Sequence, residues 1–381
     1  MVEWKKLISV SDVLYGYPFE SSLFTEDSDN IPLIRIRDVK PAIASTYYSG
    51  QILDDYRIRR GDILVGMDGE FNLGKWNDRD GLLNQRVLKL KGKEGLCLDG
   101  FLFHYMGPVF KKIEKETAGG SVKHLSAKAI NQIVIPVPPI NKQEQIVDML
   151  DAFTSSIDNL KQQIAQRRKQ YEYYRDQLFD LEGKEGVEMK TLGELFSFKN
   201  GLNKGKEFFG KGRPIIMFSN VFNSRSIDAS MINNRVDISD EELERINAKV
   251  GDVFFTRTSE TRDDVGYASV LVQDIAECTF AGFLIRARPT TEMLLPKYCK
   301  YCFSTQKVRK TIVSNCSFTT RASLTGTGLG IISLPVPSLS EQQRIVDILD
   351  KFEASIQNLE AQLSQREKQY EYYRNKLLTF E

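Results

Sequence analysis

Apolar residues recur at alternating steps of four and three along two stretches of this chain, residues 141–182 and 340–381. The first series begins at Ile146, Leu150 and Phe153 and continues to Leu178. This spacing is that of a heptad seam, which predicts coiled-coil helices rather than strands. A helix of about 40 residues is about 60 Å long.

The two stretches are copies of each other. Residues 135–182 and 334–381 align without a gap at an offset of about 199, and just over half of the aligned positions are identical. Each copy begins with a Pro-x-Pro segment, and Asn141 and Ser340 are the predicted N-caps, with Glu144 and Gln343 three residues later. The chain is therefore an internal repeat.

A heptad seam requires a partner helix. The two helices could pair with each other, in parallel or antiparallel, or each could pair with another protein. Only a short Gly-Lys-Glu-Gly link follows the first helix, so a parallel pair would need the chain to return along the whole rod. We therefore expect antiparallel pairing. Arg167 and Arg366 interrupt the seam, and they either extend to water or help to fix the register.

A globular segment precedes each helix, and the two segments share faint landmarks. Both contain a Gly-Asp turn that leads into an apolar run, RRGDILVGMDG and KVGDVFFTRTS, and both contain a candidate helix, residues 99–116 and 296–313. Ile- and Val-rich runs with one or two helices indicate mixed α/β domains. The predicted fold class is α/β, with two mixed α/β heads separated by two long helices that form an antiparallel coiled coil, in a pseudo-two-fold tandem repeat. The predicted domains are head 1 (1–140), helical spacer 1 (141–182), a linker (183–186), head 2 (187–339) and helical spacer 2 (340–381).

Composition narrows the class of protein. Of 381 residues, 41% are hydrophobic and 27% charged, which is typical of a water-soluble globular protein of two or three domains. No apolar run approaches the about 18 residues of a membrane span, and the first residues lack the apolar core of a signal peptide, so we expect a cytoplasmic protein. Five cysteines do not suggest a disulfide framework, and Cys299 and Cys302 are interpreted as small residues on a helix.

Catalytic motifs are absent from the sequence. It contains neither a P-loop nor a GxGxxG motif after a strand, and no amino-methyltransferase motif of the NPPF or DPPY kind. We therefore predict a non-catalytic protein that binds no cofactor or metal of its own.

The polar, glycine-containing loops of the heads carry the donors and acceptors that read base edges in DNA. They are residues 66–87 and 118–128 of head 1 and residues 256–269 and 315–328 of head 2. The net charge of +1 does not by itself indicate a nucleic-acid-binding protein, but a local basic patch is sufficient for nucleic-acid binding. The predicted DNA-binding residues are Arg35, Arg37, Asp68, Glu70, Asn72, Lys75, Trp76, Lys123, His124, Lys204, Asn220, Arg257, Thr258, Ser259, Glu260, Thr261, Arg262 and Arg321.

The tandem plan resembles a known family. The repeated motifs PVPPINKQEQIVDMLD and PVPSLSEQQRIVDILD, the QYEYYR run near the end of each helix and the helix before the last loop of each head are similar to those of the specificity subunit of type I restriction-modification enzymes. The resemblance covers the full length of the chain.

The resemblance implies that each head is a target recognition domain that reads one half of a split sequence in double-stranded DNA. It implies that the helices set the gap and dock two modification subunits, which use S-adenosylmethionine to methylate adenine N6. Restriction subunits, which use ATP and Mg²⁺, would join that core. The candidate partner-binding residues are Tyr171, Tyr173, Tyr174, Tyr370, Tyr372 and Tyr373, for which seam packing is the alternative interpretation.

Two other functions remain open at this point. A coiled-coil scaffold with protein-binding heads would fit the near-neutral charge, and a stand-alone enzyme lacks any supporting motif.

Overall fold

The structure is a computed structural model that describes residues 2–117 and 123–380. It divides into two compact units, Met1–Lys161 with Ala361–Glu381, and Gln162–Glu360. Each unit contains one head, the start of the long helix that follows that head, and the end of the other long helix. The predicted loop 118–128 lies outside the described residues over positions 118–122.

The first unit contains short strands and helices. Its strands are β1 (Glu3–Lys6), β2 (Ser11–Tyr15), β3 (Phe24–Thr25), β4 (Ile31–Ile34), β5 (Tyr47–Tyr48), β6 (Arg57–Ile58), β7 (Ile63–Gly66), β8 (Leu73–Lys75), β9 (Gly81–Leu83), β10 (Val87–Gly92) and β11 (Val134–Val137). Its helices are α1 (Leu7–Val10), α2 (Ile36–Val39), α3 (Asp99–Glu116), α4 (Ala127–Gln132) and the start of α5 (Ile140–Leu178). The sheets have the strand orders β2-β10-β7-β8, β3-β5-β4-β9-β6 and β1-β11.

The core of head 1 follows from its apolar strands. Strand β7 reads ILVG, is buried throughout, and pairs antiparallel with β10, with Ile63 opposite Leu90. Helix α3 packs Phe101, Leu102 and Phe110 into the same cluster. The sheet and helix therefore hold the loop after β7 on a rigid base.

The second unit repeats this plan with different details. Its strands are β12 (Glu188–Thr191), β13 (Phe196–Asn200), β14 (Phe209–Ile216), β15 (Ser226–Ile227), β16 (Arg235–Val236), β17 (Val253–Thr256), β18 (Thr258–Ser259), β19 (Ala268–Leu271), β20 (Thr279–Phe280), β21 (Leu284–Pro289), β22 (Ser317–Phe318), β23 (Ala322–Ser323) and β24 (Ser333–Val336). Its helices are α6 (Leu192–Leu195), α7 (Phe218–Asn223), α8 (Asp240–Arg245), α9 (Pro296–Cys302), α10 (Gln306–Ser314), α11 (Gly326–Gly330) and the start of α12 (Leu339–Leu377). The sheets have the strand orders β13-β21-β17-β19-β15, β16-β14-β20, β18-β23-β22 and β12-β24.

Strand β17 of head 2 corresponds to β7 of head 1, because it too follows a Gly-Asp turn and pairs antiparallel with the strand at its side, Val253 opposite Ala287. The candidate helix 296–313 is split in two. Thr305 ends the continuous run because its side-chain oxygen accepts a hydrogen bond from the Val308 N–H and caps α10. Cys299 and Cys302 are buried in α9, as interpreted from the sequence.

The two long helices, α5 and α12, pair antiparallel within each unit. In the first unit Phe153 stacks on Tyr373 with ring centroids 5.3 Å apart, and Lys161 Nζ lies 3.8 Å from Glu367 Oε1. Residue numbers thus increase along α5 in the direction in which they decrease along α12, so the two helices are antiparallel. The second unit repeats the arrangement: Tyr174 stacks on Phe352 at 5.5 Å, and Arg168 pairs with Glu360. The predicted fold class, including the antiparallel helix pair and the tandem repeat, is confirmed.

The seam arginines contact aromatic rings. Arg366 lies over Phe153, with 5.6 Å between the guanidinium carbon and the ring centroid, and Arg167 lies over Phe352 at 5.9 Å. Each guanidinium therefore packs against an aromatic residue of the other long helix.

The prediction of Asn141 and Ser340 as N-caps is wrong. The helices begin at Ile140 and Leu339, and the amides of Gln143 and Gln342 donate to the carbonyls of Pro139 and Ser338. A proline can precede the first turn because its missing N–H would have no partner there. None of the helices among the described residues is long and apolar enough to cross a membrane.

Candidate nucleic-acid interface

Two polar loops that are far apart in the sequence of head 1 lie side by side in the structure. The residues that follow β7 pair with the residues that precede α4: Asp68 forms an antiparallel bridge with His124, and the Gly69 N–H donates to the Lys123 carbonyl at 2.9 Å. The Leu125 N–H donates to the Met67 carbonyl at 2.7 Å. These bonds hold the loop side chains on one surface.

A hydrogen-bonded trio of Asp68, Arg86 and His124 occupies that surface. Asp68 Oδ1 lies 2.6 Å from His124 Nδ1, and Asp68 Oδ2 accepts a hydrogen bond from Arg86. The Asp68 side chain is almost buried, whereas those of Arg86 and His124 are mostly exposed. Burial alone would raise the pKa of Asp68, but the hydrogen bonds from His124 and Arg86 outweigh burial and hold its pKa below the ordinary value. Asp68 therefore stays ionised and holds two exposed side chains in place.

The backbone of Arg86 adopts a left-handed conformation, with φ of 68°. Residues other than glycine, asparagine and aspartate rarely adopt this conformation, which costs about 1–2 kcal/mol. The carbonyl of Arg86 accepts a hydrogen bond from the Met67 N–H at 2.8 Å. The strained turn thus directs the guanidinium towards Asp68.

Head 2 uses the same backbone frame. The Arg257 N–H donates to the Phe283 carbonyl at 2.8 Å, and the Leu324 N–H donates to the Arg257 carbonyl at 2.9 Å. Thr258 lies opposite Ser323 in the pairing of β18 with β23. The two predicted loops of head 2 are therefore brought together in the same manner as those of head 1.

The side chains on the head 2 frame differ from those of head 1. Arg262 lies over the ring of Phe318, with 5.2 Å between the guanidinium carbon and the ring centroid, and Arg321 lies 3.7 Å from Glu260. Phe283 is 63% exposed and lines a groove of about 320 Å³ together with Arg257. The surface combines exposed aromatic rings with cationic side chains, a combination found on protein surfaces that bind nucleic acids.

Three residues predicted for head 1 contact other parts of the fold, and one of them is buried. Trp76 is the clear correction: it is 1% exposed in the core, and its indole N–H donates to the Arg79 carbonyl at 2.9 Å, so it cannot contact DNA. Lys75 Nζ lies 3.6 Å from Asp151 of α5 and 4.7 Å from the Phe103 ring centroid. Arg37 donates to Ser45 and Thr46 and is thereby held to its own segment.

The remaining predicted residues of head 1 are accessible. Glu70 is exposed and accepts a hydrogen bond from Asn72 at 3.2 Å. The guanidinium carbon of Arg35 lies 5.9 Å from the ring centroid of Phe24. Lys123 lies beside the Asp68 trio through its backbone bond to Gly69.

Two predicted residues of head 2 also serve the fold. Asn220 accepts a hydrogen bond from the Met217 N–H and donates to the Met231 carbonyl, both at 2.8 Å. Lys204 pairs with Glu242 at 2.7 Å. We therefore exclude Asn220 from the DNA-contacting set, since both of its polar side-chain atoms are engaged in the turn. Thr261, in contrast, is exposed and forms local hydrogen bonds with Ser259 and Asp264.

The tyrosines of the long helices fall into two groups. Tyr171 and Tyr370 are half-buried against the heads, and Tyr370 Oη lies 3.1 Å from His104 Nδ1. Tyr174 and Tyr373 stack on the seam phenylalanines. Tyr173 and Tyr372 are 61% and 60% exposed, which leaves these two with the most surface for a partner.

Arg86 lies within the polar loop 66–87 predicted from the sequence but was not in the list of predicted DNA-binding residues, and Phe283 was not predicted at all. The signal that identifies both residues is their position immediately before a strand that pairs with the buried strand of the head. Counting from the strand that follows, Arg86 precedes Val87 of β10 and Phe283 precedes Leu284 of β21, but these strands can only be matched once the pairing with β7 and β17 is known.

Comparisons with known proteins place this surface in context. Residues 1–167 and 184–367 match the model of the family described as type I restriction modification DNA specificity domain. The type I restriction enzyme EcoBI specificity subunit of Escherichia coli is 26% identical to the chain over 93% of this chain and 80% of that protein. A putative type I restriction enzyme specificity subunit of Haemophilus influenzae is also 26% identical, over 100% of this chain and 96% of that protein.

Solved structures agree in fold. The crystal structure of an S subunit from M. genitalium superposes with a TM-score of 0.58 at 17% identity, covering 100% of this chain and 97% of that chain. A chain from a study of complex assembly in the type I R-M system superposes with a TM-score of 0.61 at 17% identity, covering 99% and 96% of the two chains. At this identity, the likeness concerns the fold.

Proposed function

The chain belongs to the family of type I restriction modification DNA specificity domains, and from this membership we propose that it is the sequence-reading subunit of a type I restriction-modification complex. Each head recognises one half of a two-part target in double-stranded DNA. The alternative of a scaffold with protein-binding heads is not favoured, because both heads fall within matches to a DNA specificity domain.

The observation that carries the proposal is one backbone frame with two sets of side chains. In each head, the loop after the strand that follows the Gly-Asp turn pairs with the loop near the end of the domain. Head 1 presents Asp68 and His124 there, and head 2 presents Thr258 and Ser323. A backbone frame shared by both heads but carrying different polar groups suits two readers of different sequences, since base edges are distinguished by their donors and acceptors.

The long helices are the spacer of the proposed complex. A helix of 39 residues is about 60 Å long, and two heads on such a spacer suit half-sites about one turn of duplex apart. The exposed tyrosines Tyr173 and Tyr372 occupy equivalent positions, one on each helix. Equivalent surfaces suit two copies of the same partner, and we assign them to two modification subunits.

The chemistry of the complex belongs to its other subunits. Modification subunits would carry S-adenosylmethionine and transfer its methyl group to adenine N6, and restriction subunits would use ATP and Mg²⁺. This chain contributes binding, orientation and spacing, and no cofactor of its own. A cytoplasmic location is part of the proposal, because the target is cellular or invading DNA.

The direct test is to co-express the full chain with its modification subunits and to map methylated adenines in the DNA of those cells. We expect one two-part sequence with a fixed gap. Arg257→Ala, which alters the groove of head 2, should relax the base preference in one half-site and leave the other unchanged. The control is Arg245→Ala, which removes an exposed arginine from α8 and should change neither half-site.

The spacer has its own test. Deletion of one heptad from each long helix removes about 10.5 Å of helix, equivalent to about 3 base pairs of duplex, and the gap should shorten by that amount. An unchanged gap would contradict the role of the long helices as the spacer, and simultaneous changes in both half-sites with Arg257→Ala would contradict the assignment of one half-site to each head.

A further inference from the structure

Arg86 and Phe283 occupy equivalent positions in the two heads. Each carbonyl accepts a hydrogen bond at 2.8 Å from the residue that follows the buried strand, Met67 in head 1 and Arg257 in head 2. Each residue also ends a tight turn that leads into the next long strand of its sheet. The frame therefore presents a guanidinium at this position in head 1 and a phenyl ring in head 2.

In head 1 the guanidinium is oriented before any ligand binds. Asp68 accepts a hydrogen bond from Arg86 Nη1 and is itself held by His124 Nδ1 at 2.6 Å. Arg86 is nevertheless 60% exposed. An arginine carries five N–H donors, and the bond to Asp68 engages one of its nitrogens. The other N–H groups of Arg86 can donate to a planar pair of acceptors. Because the bond to Asp68 already orders the long Arg86 side chain, binding a ligand costs less conformational entropy.

The opposite charges of Arg86 and Asp68 favour a DNA base over a phosphate as the ligand of Arg86. The charges of Arg86 and Asp68 cancel, and the Asp68 carboxylate would repel a phosphate placed beside Arg86. The acceptor edge of guanine, formed by O6 and N7, is uncharged and matches the two parallel donors of a guanidinium.

The corresponding position of head 2 has no donor. Phe283 is 63% exposed, and Thr258 and Ser323 stand beside it where head 1 has Asp68 and His124. An exposed ring offers apolar contact, as to the methyl group of thymine. The two heads therefore differ in chemistry at one matched point.

We propose that Arg86 is a specificity-determining residue that donates to the O6 and N7 atoms of a guanine in the half-site read by head 1. Asp68 and His124 are its positioning residues, and Phe283 supplies an apolar contact at the matched point of head 2. This inference rests on the proposed function of the chain as a DNA-reading subunit.

The strained turn provides an informative variant. Arg86→Gly removes the guanidinium and its hydrogen bond to Asp68 but also relieves the left-handed backbone strain, and since these two effects oppose each other the thermal midpoint of the chain should change little. Glu277→Gly is the matched control, because Glu277 has φ of 54° and is an exposed charged residue in another turn. Both variants relieve the same kind of strain, but only Arg86→Gly removes the proposed base contact.

The experiment maps methylated adenines for the full chain co-expressed with its modification subunits. The parent should show a guanine in one half-site. With Arg86→Gly, the preference for that guanine over other bases should fall by about 5- to 150-fold, the range expected for one bidentate contact. Asp68→Asn should weaken the same preference by a smaller factor, and Arg86→Lys should retain methylation while losing most of the preference, because lysine lacks the planar fork. Glu277→Gly should leave both half-sites unchanged.

The outcomes separate the inference from the function. If the parent shows a two-part target and Arg86→Gly and Arg86→Lys leave both half-sites unchanged, or if Asp68→Asn alters a different base position, the inference is overturned while the proposed function stands. If Arg86→Gly fails to assemble, Arg86→Lys decides between these results. If the parent produces no two-part methylated sequence, the proposed function fails and this inference fails with it.

Discussion

Gln143 fastens head 1 to the start of α5, and its replacement by leucine should destabilise the first unit. The side chain is fully buried. Its Oε1 accepts a hydrogen bond from the Leu98 N–H at 2.9 Å, and its Nε2 donates to the carbonyls of Leu96 and Pro138 at 3.0 and 2.8 Å. Gln143→Leu keeps a similar volume and removes all three hydrogen bonds.

The magnitude follows from the groups left behind. A buried N–H without a partner costs about 1–3 kcal/mol, and the loss of a hydrogen bond to a neutral carbonyl costs about 1 kcal/mol. With one orphaned amide at Leu98 and two carbonyls that lose a donor, we expect Gln143→Leu to lower the free energy of unfolding of the first unit by about 3–5 kcal/mol.

The assay is native-state hydrogen exchange with the intact chain, which reports the opening free energy of each unit separately. The amide of Leu98 should lose its protection first. Gln145→Leu, at an exposed position two residues further along α5, should change stability by less than about 0.5 kcal/mol.

The second unit offers an internal replicate. Gln342 forms the matching bonds, with the Leu295 N–H and the carbonyls of Met293 and Pro337, at 2.9, 2.7 and 2.9 Å. Gln342→Leu should therefore destabilise the second unit by a similar amount. A loss below about 1 kcal/mol for Gln143→Leu, or a loss for Gln145→Leu that equals it, would refute the reasoning.

Three further predictions concern stability and partner binding. Burial lowers the pKa of His104, so as pH falls below about 6.5 the unfolded chain takes up a proton before the folded chain does; the first unit should therefore lose stability in urea titrations as pH falls below about 6.5, and His104→Tyr should remove that slope. Gly16→Ala would place a Cβ 1.9 Å from the Asn84 carbonyl oxygen and should cost about 2–3 kcal/mol, so an unchanged unfolding midpoint would contradict that contact. Tyr173→Ala and Tyr372→Ala should leave unfolding within about 0.5 kcal/mol of the parent and weaken the binding of modification subunits at least about tenfold in calorimetric titrations; unaltered affinity would exclude these positions from the interface.

The pH prediction has a specific structural origin. His104 Nε2 lies 2.6 Å from Asp151, and the hydroxyl of Tyr370 lies 3.1 Å from Nδ1. The carboxylate favours the charged ring, but burial outweighs it. In the second unit Tyr301 takes the equivalent place and donates to Asp350 at 2.5 Å, which is why a tyrosine is the appropriate replacement for His104.

The heptad spacing and the repeat could be recognised without coordinates because both are local properties of the chain. Apolar residues at steps of four and three are typical of coiled-coil helices. The short link after the first helix favoured antiparallel pairing, because a parallel pair would need the chain to return along the whole helix. The ends of the helices could not be placed as well. Helix α5 begins at Ile140, one residue before the predicted cap, and in its first turn Gln143 accepts a hydrogen bond from Leu98 of head 1, a contact that the spacing of residues does not reveal.

The candidate site depended on tertiary structure. Asp68, Arg86 and His124 come from three separate segments, and only the pairing of β7 with β10 and of the two loops brings their side chains together. The same cause explains the error at Trp76, which follows β8 in a polar stretch but turns into the core.

The sequence by itself determined what repeats along the chain: two long helices, two heads of similar plan and a family likeness in the helix motifs. Tertiary structure decided which polar residues serve the fold and which face outwards, as the contrast between Asn220 and Arg86 illustrates. The spacing of apolar residues shows which face of a helix or strand is buried. The exposure of a loop side chain depends instead on non-local contacts, which the spacing of residues does not encode.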